Sequence, residues 1–400
     1  MNIGKQLVRL SQLHGYSYKA LAKHLNISEY QLRQCENKHA PFDFNLTLTL
    51  SQFFKVRTSY LTAEHTVFSR TNTVQRGHVS ISNYNFHTHT QQFYQSIYLA
   101  NFVEFQSRFV KSPFKQILDI TAEIEQLYDQ ANSQIDFIKN AAEKARALLI
   151  KEPSNLRLLF MLEKAGLCIC ESTINNEAKP FSFWSEKGMP YIVLNHNNDF
   201  AVKSVFDVAH ELGHLLLHKH IQFDLLTYEE FQDIEREANI FASSFLLPEQ
   251  AFKEDMKKVS NLSNPDDYTP LKQKWYVSIK AMGQRAYELG LLTFEEYIAF
   301  CHAIHEKNYE AVEPLDDTLA RRHPFKITAH LEYMFVRKLI TPQKLLDILK
   351  VEPEFLTQLA NINQSLFDKF TKKESKEILK YNFIEATDNR EKSLNIFHTK

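Results

Sequence analysis

The stretch that decides the reading of this chain is His210-Glu211-Leu212-Gly213-His214. On a helix, positions four apart share a face, so His210 and His214 can aim both imidazoles at one metal ion. Glu211 lies beside them, within reach of a water held by that ion. Zinc lowers the pKa of such a water to about 7, and a neighbouring carboxylate takes its proton as the water attacks a carbonyl. These residue types at this spacing point to a metal-dependent peptidase with Zn2+ as cofactor. Residues 202–217 are dominated by Val, Phe, Ala and Leu and contain no proline. Such a helix is mostly buried, and buried His and Glu require partners. One metal ion satisfies both histidines.

A tetrahedral catalytic zinc takes a third protein ligand. Downstream, Ile234, Ala238, Phe241, Ala242 and Phe245 recur at helical spacing, which predicts a second helix able to pack on the first. Glu235 and Asn239 share one of its faces. Glu235 can bind the metal while Asn239 hydrogen-bonds a ligand histidine from behind. The rival acids, Glu229, Glu230, Asp233 and Glu237, read as solvated charges. His218 continues the four-residue series but lies about 12 Å along the axis from His210, at a rise of about 1.5 Å per residue. One ion cannot bind both, so His218 and His220 read as helix-end residues that suit the dipole.

The run from Phe206 through His218, followed by Glu235-Arg236-Glu237-Ala238-Asn239-Ile240-Phe241-Ala242 and Leu246-Leu247-Pro248, resembles the ImmA/IrrE family of metallo-endopeptidases. The resemblance covers about residues 115–265. It implies a gluzincin-like α+β domain in which His210, His214 and Glu235 are zinc ligands and Glu211 is the general base. It also implies a protein substrate, a repressor or an antitoxin.

The 400 residues suggest about two or three domains with ample core. With only 8 Gly and 12 Pro, the chain reads as helix-rich, without a β-sandwich. The 47 basic side chains nearly cancel the 48 acidic ones, so overall charge selects no partner. Cys35, Cys168, Cys170 and Cys301 form no disulfide framework, which fits a reducing cytoplasm. Nothing resembles a signal peptide, and no apolar run approaches the roughly 20 residues of a membrane span.

Residues 1–70 differ from the rest, with nine basic and four acidic groups. A local positive field suits a polyanion. Five short helices are predicted at 3–13, 18–25, 29–37, 46–54 and 59–63. Ser17 and Ser28 stand as N-caps of the second and third. The run Tyr18-Lys19-Ala20-Leu21-Ala22-Lys23-His24-Leu25-Asn26-Ile27-Ser28 through Cys35-Glu36-Asn37 resembles the XRE/Cro helix-turn-helix family. That resemblance implies a third helix in the major groove of a double-stranded DNA operator, with Glu29, Tyr30, Gln31, Arg33 and Gln34 near the bases. Lys19, Lys23 and Lys38 would meet phosphates. Tyr18 departs from the glutamine that often opens helix two in that family. A homodimer is expected, because such operators are usually palindromic. The alternative is a helical interaction domain without DNA.

Residues 71–90 are polar and read as a linker, with His87 and His89 as loop histidines. Residues 91–110 carry Phe93, Tyr94, Tyr98, Phe102, Phe105 and Phe109 at near-helical spacing, a packing helix. Two helices are expected over 117–150, and strands at 167–171, 181–185 and 191–195, with Gly188 and Pro190 marking a hairpin. The sheet offers an edge for an extended peptide. A helix over 271–292 and further helices at 327–339 and 342–349 complete a C-terminal module, and the last dozen residues read as frayed. The expected layout is therefore mostly α with an α+β zinc-peptidase core. A helix-turn-helix bundle spans 1–70, a linker and packing helix 71–114, the peptidase 115–265 and a helical module 266–400. Functionally, this reads as a DNA-binding regulator that cleaves a partner regulator or itself. The alternatives are a regulator that uses the zinc fold only as a sensor, and a structural zinc domain, which would normally use four ligands, commonly cysteines.

Overall fold

The computed structural model describes residues 3–36, 43–70, 74–80, 86–174, 179–196 and 200–371, without the side chains of 75–78, 86 and 87. Five helices open the chain: α1 (Gly4–Leu13), α2 (Tyr18–Leu25), α3 (Glu29–Gln34), α4 (Phe44–Phe54) and α5 (Thr58–Leu61). Their limits follow local chemistry. Ser17 accepts from Ala20 N, and Ser28 forms a reciprocal capping box with Gln31. Asn26 ends α2 in the left-handed conformation at φ 54°. Helix α3 stops at Gln34, short of the predicted 37.

Part of the polar stretch expected as a linker forms regular structure. Residues Val74–Val79 form strand β1, and helix α6 (Phe86–Gln106) begins soon after. His89 lies buried within α6 rather than in a loop. Next come α7 (Lys115–Glu125), α8 (Gln134–Leu149) and α9 (Leu158–Ala165). Then follow β2 (Cys168–Ser172), β3 (Phe181–Ser185) and β4 (Pro190–Asn195). The sheet order is β1-β3-β4-β2, with β2 parallel to β4 and the other pairs antiparallel. Gly188 supplies the positive φ of 73° in the β3–β4 hairpin.

Alternation along the strands loads both faces of this sheet. Cys168, Cys170, Phe181, Phe183, Tyr191 and Val193 belong to one core, while Ile169, Trp184, Ile192 and Leu194 belong to another. The second core holds the long pair α10 (Ala201–Leu217) and α11 (Tyr228–Leu246), together with α12 (Glu249–Met256), α13 (Thr269–Trp275), α14 (Ile279–Glu288) and α15 (Phe294–Glu306). The single helix expected over 271–292 is broken at Tyr276, which is left-handed at φ 54°. The first core joins α1–α6 to α16 (Lys326–Val336), α17 (Pro342–Leu349), α18 (Pro353–Ala360) and α19 (Gln364–Thr371).

The expected boundaries at 70 and 265 thus fall inside packed cores, whereas the one at 114 lies where the chain passes from the first core to the second, between Val110 and Ile117. The N-terminal helices share a core with residues near the other end of the chain. Phe68 stacks on Tyr98 at 5.0 Å and meets Phe355 at 5.7 Å. Arg57 pairs with Asp347, and Val56 bridges to Val351. Each fully buried Leu or Phe contributes about 1.5–3 kcal/mol, so this shared surface outweighs any single polar contact across it. Residues 372–400, including the tail expected to fray, lie outside the described residues. No described helix is long and apolar enough to cross a membrane.

Candidate metal centre

Helices α10 and α11 build the site by packing closely side by side. Gly213 allows it: a Cβ there would come within 3.1 Å of the Phe241 ring. Trp184 Nε1 donates to Leu215 O at 3.1 Å and holds the back of α10 against β3. The His-Glu-Leu-Gly-His stretch therefore faces α11 at a fixed distance, and the two imidazoles and one carboxylate converge. His214 Nε2 lies 3.1 Å from His210 Nε2 and 3.1 Å from Glu235 Oε1, and His210 Nε2 lies 3.6 Å from Glu235 Oε2.

Those spacings test whether a metal fits. Ligand atoms about 2.05 Å from a tetrahedral zinc stand about 3.3 Å apart, close to all three distances. The donors also carry suitable charges. Burial drives the pKa of His214 down to about 3, so its ring is neutral. Glu235 is drawn down to about 2: burial opposes ionisation, but hydrogen bonds from both histidines outweigh it. Burial would also lower His210, yet its hydrogen bond to Glu235 and the charges of Glu211 and Glu235 hold it above the usual range. A divalent cation displaces the extra proton of His210 and then faces neutral and anionic donors, as it requires. The residues fit the group.

Asn239, one turn beyond Glu235, receives His210 Nδ1 at 3.0 Å on its Oδ1. Once a metal displaces the proton on Nε2, this leaves the Nε2 lone pair of His210 pointing into the cluster. All five residues singled out on these two helices thus lie together: His210, Glu211, His214, Glu235 and Asn239 line one cleft of about 170 Å3 with Ser80, Lys179, Pro180, Phe206 and Asp207.

Glu211 is almost fully buried, and desolvation pushes its pKa up to about 7. Ser80 and Ser182 moderate that rise. Ser80 Oγ donates to Glu211 Oε2 at 3.1 Å and itself accepts from Ser182 N at 2.7 Å. Neither serine was foreseen. Ser80 is brought in by β1, whose sequence does not announce a strand.

One further expectation holds and another needs correction. His218 does end α10, and it is also buried, with its Nδ1 3.0 Å from His214 Nδ1 and its Nε2 2.9 Å from Glu237 Oε2. Glu237 is accordingly engaged rather than a free surface acid, and also accepts from Gln134 at 2.9 Å. The spacing His214–His218 was visible in the sequence, but the carboxylate opposite it was not. By contrast, Glu230 caps α11, Asp233 pairs with Arg236 on the surface, and His220 is exposed, as expected of non-ligands.

The expected DNA-contacting residues stand on the surface of the N-terminal helices. Lys19, Lys23, Tyr30, Gln31 and Arg33 are exposed, while Glu29 and Gln34 are half-buried. Three of them have local work. Arg33 pairs with Glu29 at 2.6 Å, and the Gln31 side chain closes the cap of α3. Lys38 lies outside the described residues.

No curated protein and no solved structure matches this chain. A family model does: residues 162–287 match Peptidase_M78, the IrrE N-terminal-like domain. The matched segment runs from α9 into α14 and contains the whole two-helix cluster, so this part of the chain is similar to a metallopeptidase domain.

Proposed function

We propose that the chain is a zinc-dependent endopeptidase whose metal is held by His210, His214 and Glu235, with Glu211 as general base. The convergence of two Nε2 atoms and one carboxylate at tetrahedral spacing, beside a second, buried acid, carries this reading. Zinc bound there would supply Lewis-acid chemistry, acidifying a water and polarising the peptide carbonyl. The chain supplies the rest. Glu211 takes the proton of the attacking water and passes it to the leaving amine, with Ser80 holding the carboxylate in place. Burial matches its proton affinity to neutral pH. The β1 edge of the sheet leads to Ser80 and the cleft, which gives an extended peptide a line of approach. Purified Glu211→Gln should bind zinc as the parent does and cleave no peptide. Cleavage by that variant would remove Glu211 from the mechanism.

The substrate we infer is a regulatory protein, a repressor or antitoxin or the chain itself, and the N-terminal helices are proposed to bind a double-stranded DNA operator as a homodimer in the cytoplasm. The excess of basic groups in residues 1–70 and the exposed Lys19, Lys23 and Arg33 support the DNA-binding part. Arg33→Ala should weaken binding to a selected operator by about 1–3 kcal/mol, and Lys23→Ala should reduce its salt dependence. Parent-like binding by both variants on gel-shift titration would remove these helices from the DNA. A regulator without turnover is the second reading. It would retain DNA binding in Glu211→Gln and show no cleavage by the parent.

A further inference from the structure

A cavity of about 960 Å3 lies between the C-terminal part of α6 and the β3–β4 hairpin, and it shares no lining residue with the metal cleft. Pockets that enclose whole small molecules measure about 300–1,000 Å3 and are mostly apolar. This one qualifies on both counts. Ala100, Val103 and Glu104, at i, i+3 and i+4, turn one face of α6 toward it, and Ser107 follows one turn on. Met189, Phe114 and the Tyr191 ring complete the apolar lining.

Two features of the lining point to an occupant. Tyr191 is 2 % exposed and its ring lies flat on Phe183 at 4.6 Å, yet its hydroxyl has no hydrogen-bond partner among the described residues. Buried tyrosine hydroxyls normally find one. The second feature is charge. Glu104 Oε1 accepts from Arg70 Nη1 at 2.7 Å and from Lys187 Nζ at 2.9 Å, so one carboxylate serves two cations. With Lys111 and Glu186 counted, the wall carries three cations and two acids. The Arg70 and Lys187 side chains remain 55 % and 70 % exposed, and such surface pairs are weak, so both can turn to a second anion at small cost.

We propose that this cavity binds a small amphipathic anion, with its apolar body against α6, its acidic head on Arg70 and Lys187, and the Tyr191 hydroxyl as a further donor. A neutral ligand would leave the positive excess unmet. A purely polar anion would leave the apolar wall in contact with water. An amphipathic anion answers both. The site is independent of the metal-binding reading.

The test uses anilinonaphthalene sulfonate, an aromatic body with one negative charge, and phenylnaphthylamine, a similar body without it. Binding of each to the full chain is read by fluorescence titration. Ser107→Trp plugs the cavity from an exposed position, Lys187→Glu reverses one charge, and Tyr191→Phe removes the hydroxyl alone. The parent should bind one sulfonate probe per chain, about 10-fold more tightly than the neutral probe. Lys187→Glu should weaken the sulfonate about 10-fold and spare the neutral probe. Tyr191→Phe should also weaken the sulfonate about 10-fold, the scale of one hydrogen bond to a charged group. Ser107→Trp should abolish binding of both. Equal affinity of the parent for the two probes overturns the anionic ligand. Parent-like sulfonate binding in Lys187→Glu or in Ser107→Trp overturns the site, as does a parent that binds neither probe. Thermal unfolding is followed for each variant, and the exposed Lys187 keeps the test decisive should Ser107→Trp fail to fold.

Discussion

Ser80 Oγ donates a 3.1 Å hydrogen bond to the buried carboxylate of Glu211, across 131 residues of sequence. The contact holds the proposed base in place and favours its ionised form. Ser80→Ala should lower kcat about 10-fold, the scale of one hydrogen bond to a charged group, and should move the acidic limb of the pH–rate profile to higher pH. Zinc affinity should not change at a pH where Glu211 is fully ionised in both proteins. A parent-like profile would leave Ser80 with a purely structural part.

Proton linkage gives a second expectation. In the metal-free protein Glu211 holds a proton below about pH 7, and His210 titrates above the usual histidine range. A divalent cation expels both protons. Affinity therefore rises with pH as these groups deprotonate and levels off once they are deprotonated. Calorimetry in buffers of different ionisation enthalpy should show net proton release at pH 6 and less at pH 8. Release that is independent of pH would contradict the assigned titrations.

The entry to β2 makes a stability test. Gly166 sits at φ 122°, and a Cβ there would lie 2.4 Å from the Phe114 Cα. Backbone strain and overpacking add, so Gly166→Ala should destabilise the chain by about 3 kcal/mol or more in denaturant titration. A loss below about 1 kcal/mol would mean that this junction yields easily.

The shared N- and C-terminal core leads to a fourth. Tyr60 OH and Tyr98 OH are 2.8 Å apart and buried, and Phe68 leans on Phe355. A fragment of residues 1–70 loses these partners and exposes apolar surface. It should melt without a cooperative transition, whereas the full chain unfolds cooperatively. A sharp transition in the isolated fragment would show an independent domain.

Legibility followed locality. The histidines four apart, the serine caps at 17 and 28 and the β3–β4 hairpin are consequences of short-range rules, and the structure places each where those rules put it. Glu235 and Asn239 were found because helical spacing ties them to one another. Strand β1 was missed because Val74-Gln75-Arg76-Gly77-His78-Val79 puts a glycine between charged and polar residues, and only pairing with β3 makes it a strand. Glu237 was read as solvated because its partner, His218, is on another helix. The merging of the first five helices with α16–α19 was hidden for the same reason: an apolar stripe shows that a face is buried, not against what.

The central claim is one divalent cation held by His210, His214 and Glu235. Elemental analysis of the purified chain, with a His210→Ala/His214→Ala double variant alongside, tests it most directly. The account predicts one zinc per parent chain and none in the variant. A parent without metal, or a variant that keeps the parent's stoichiometry, would contradict it.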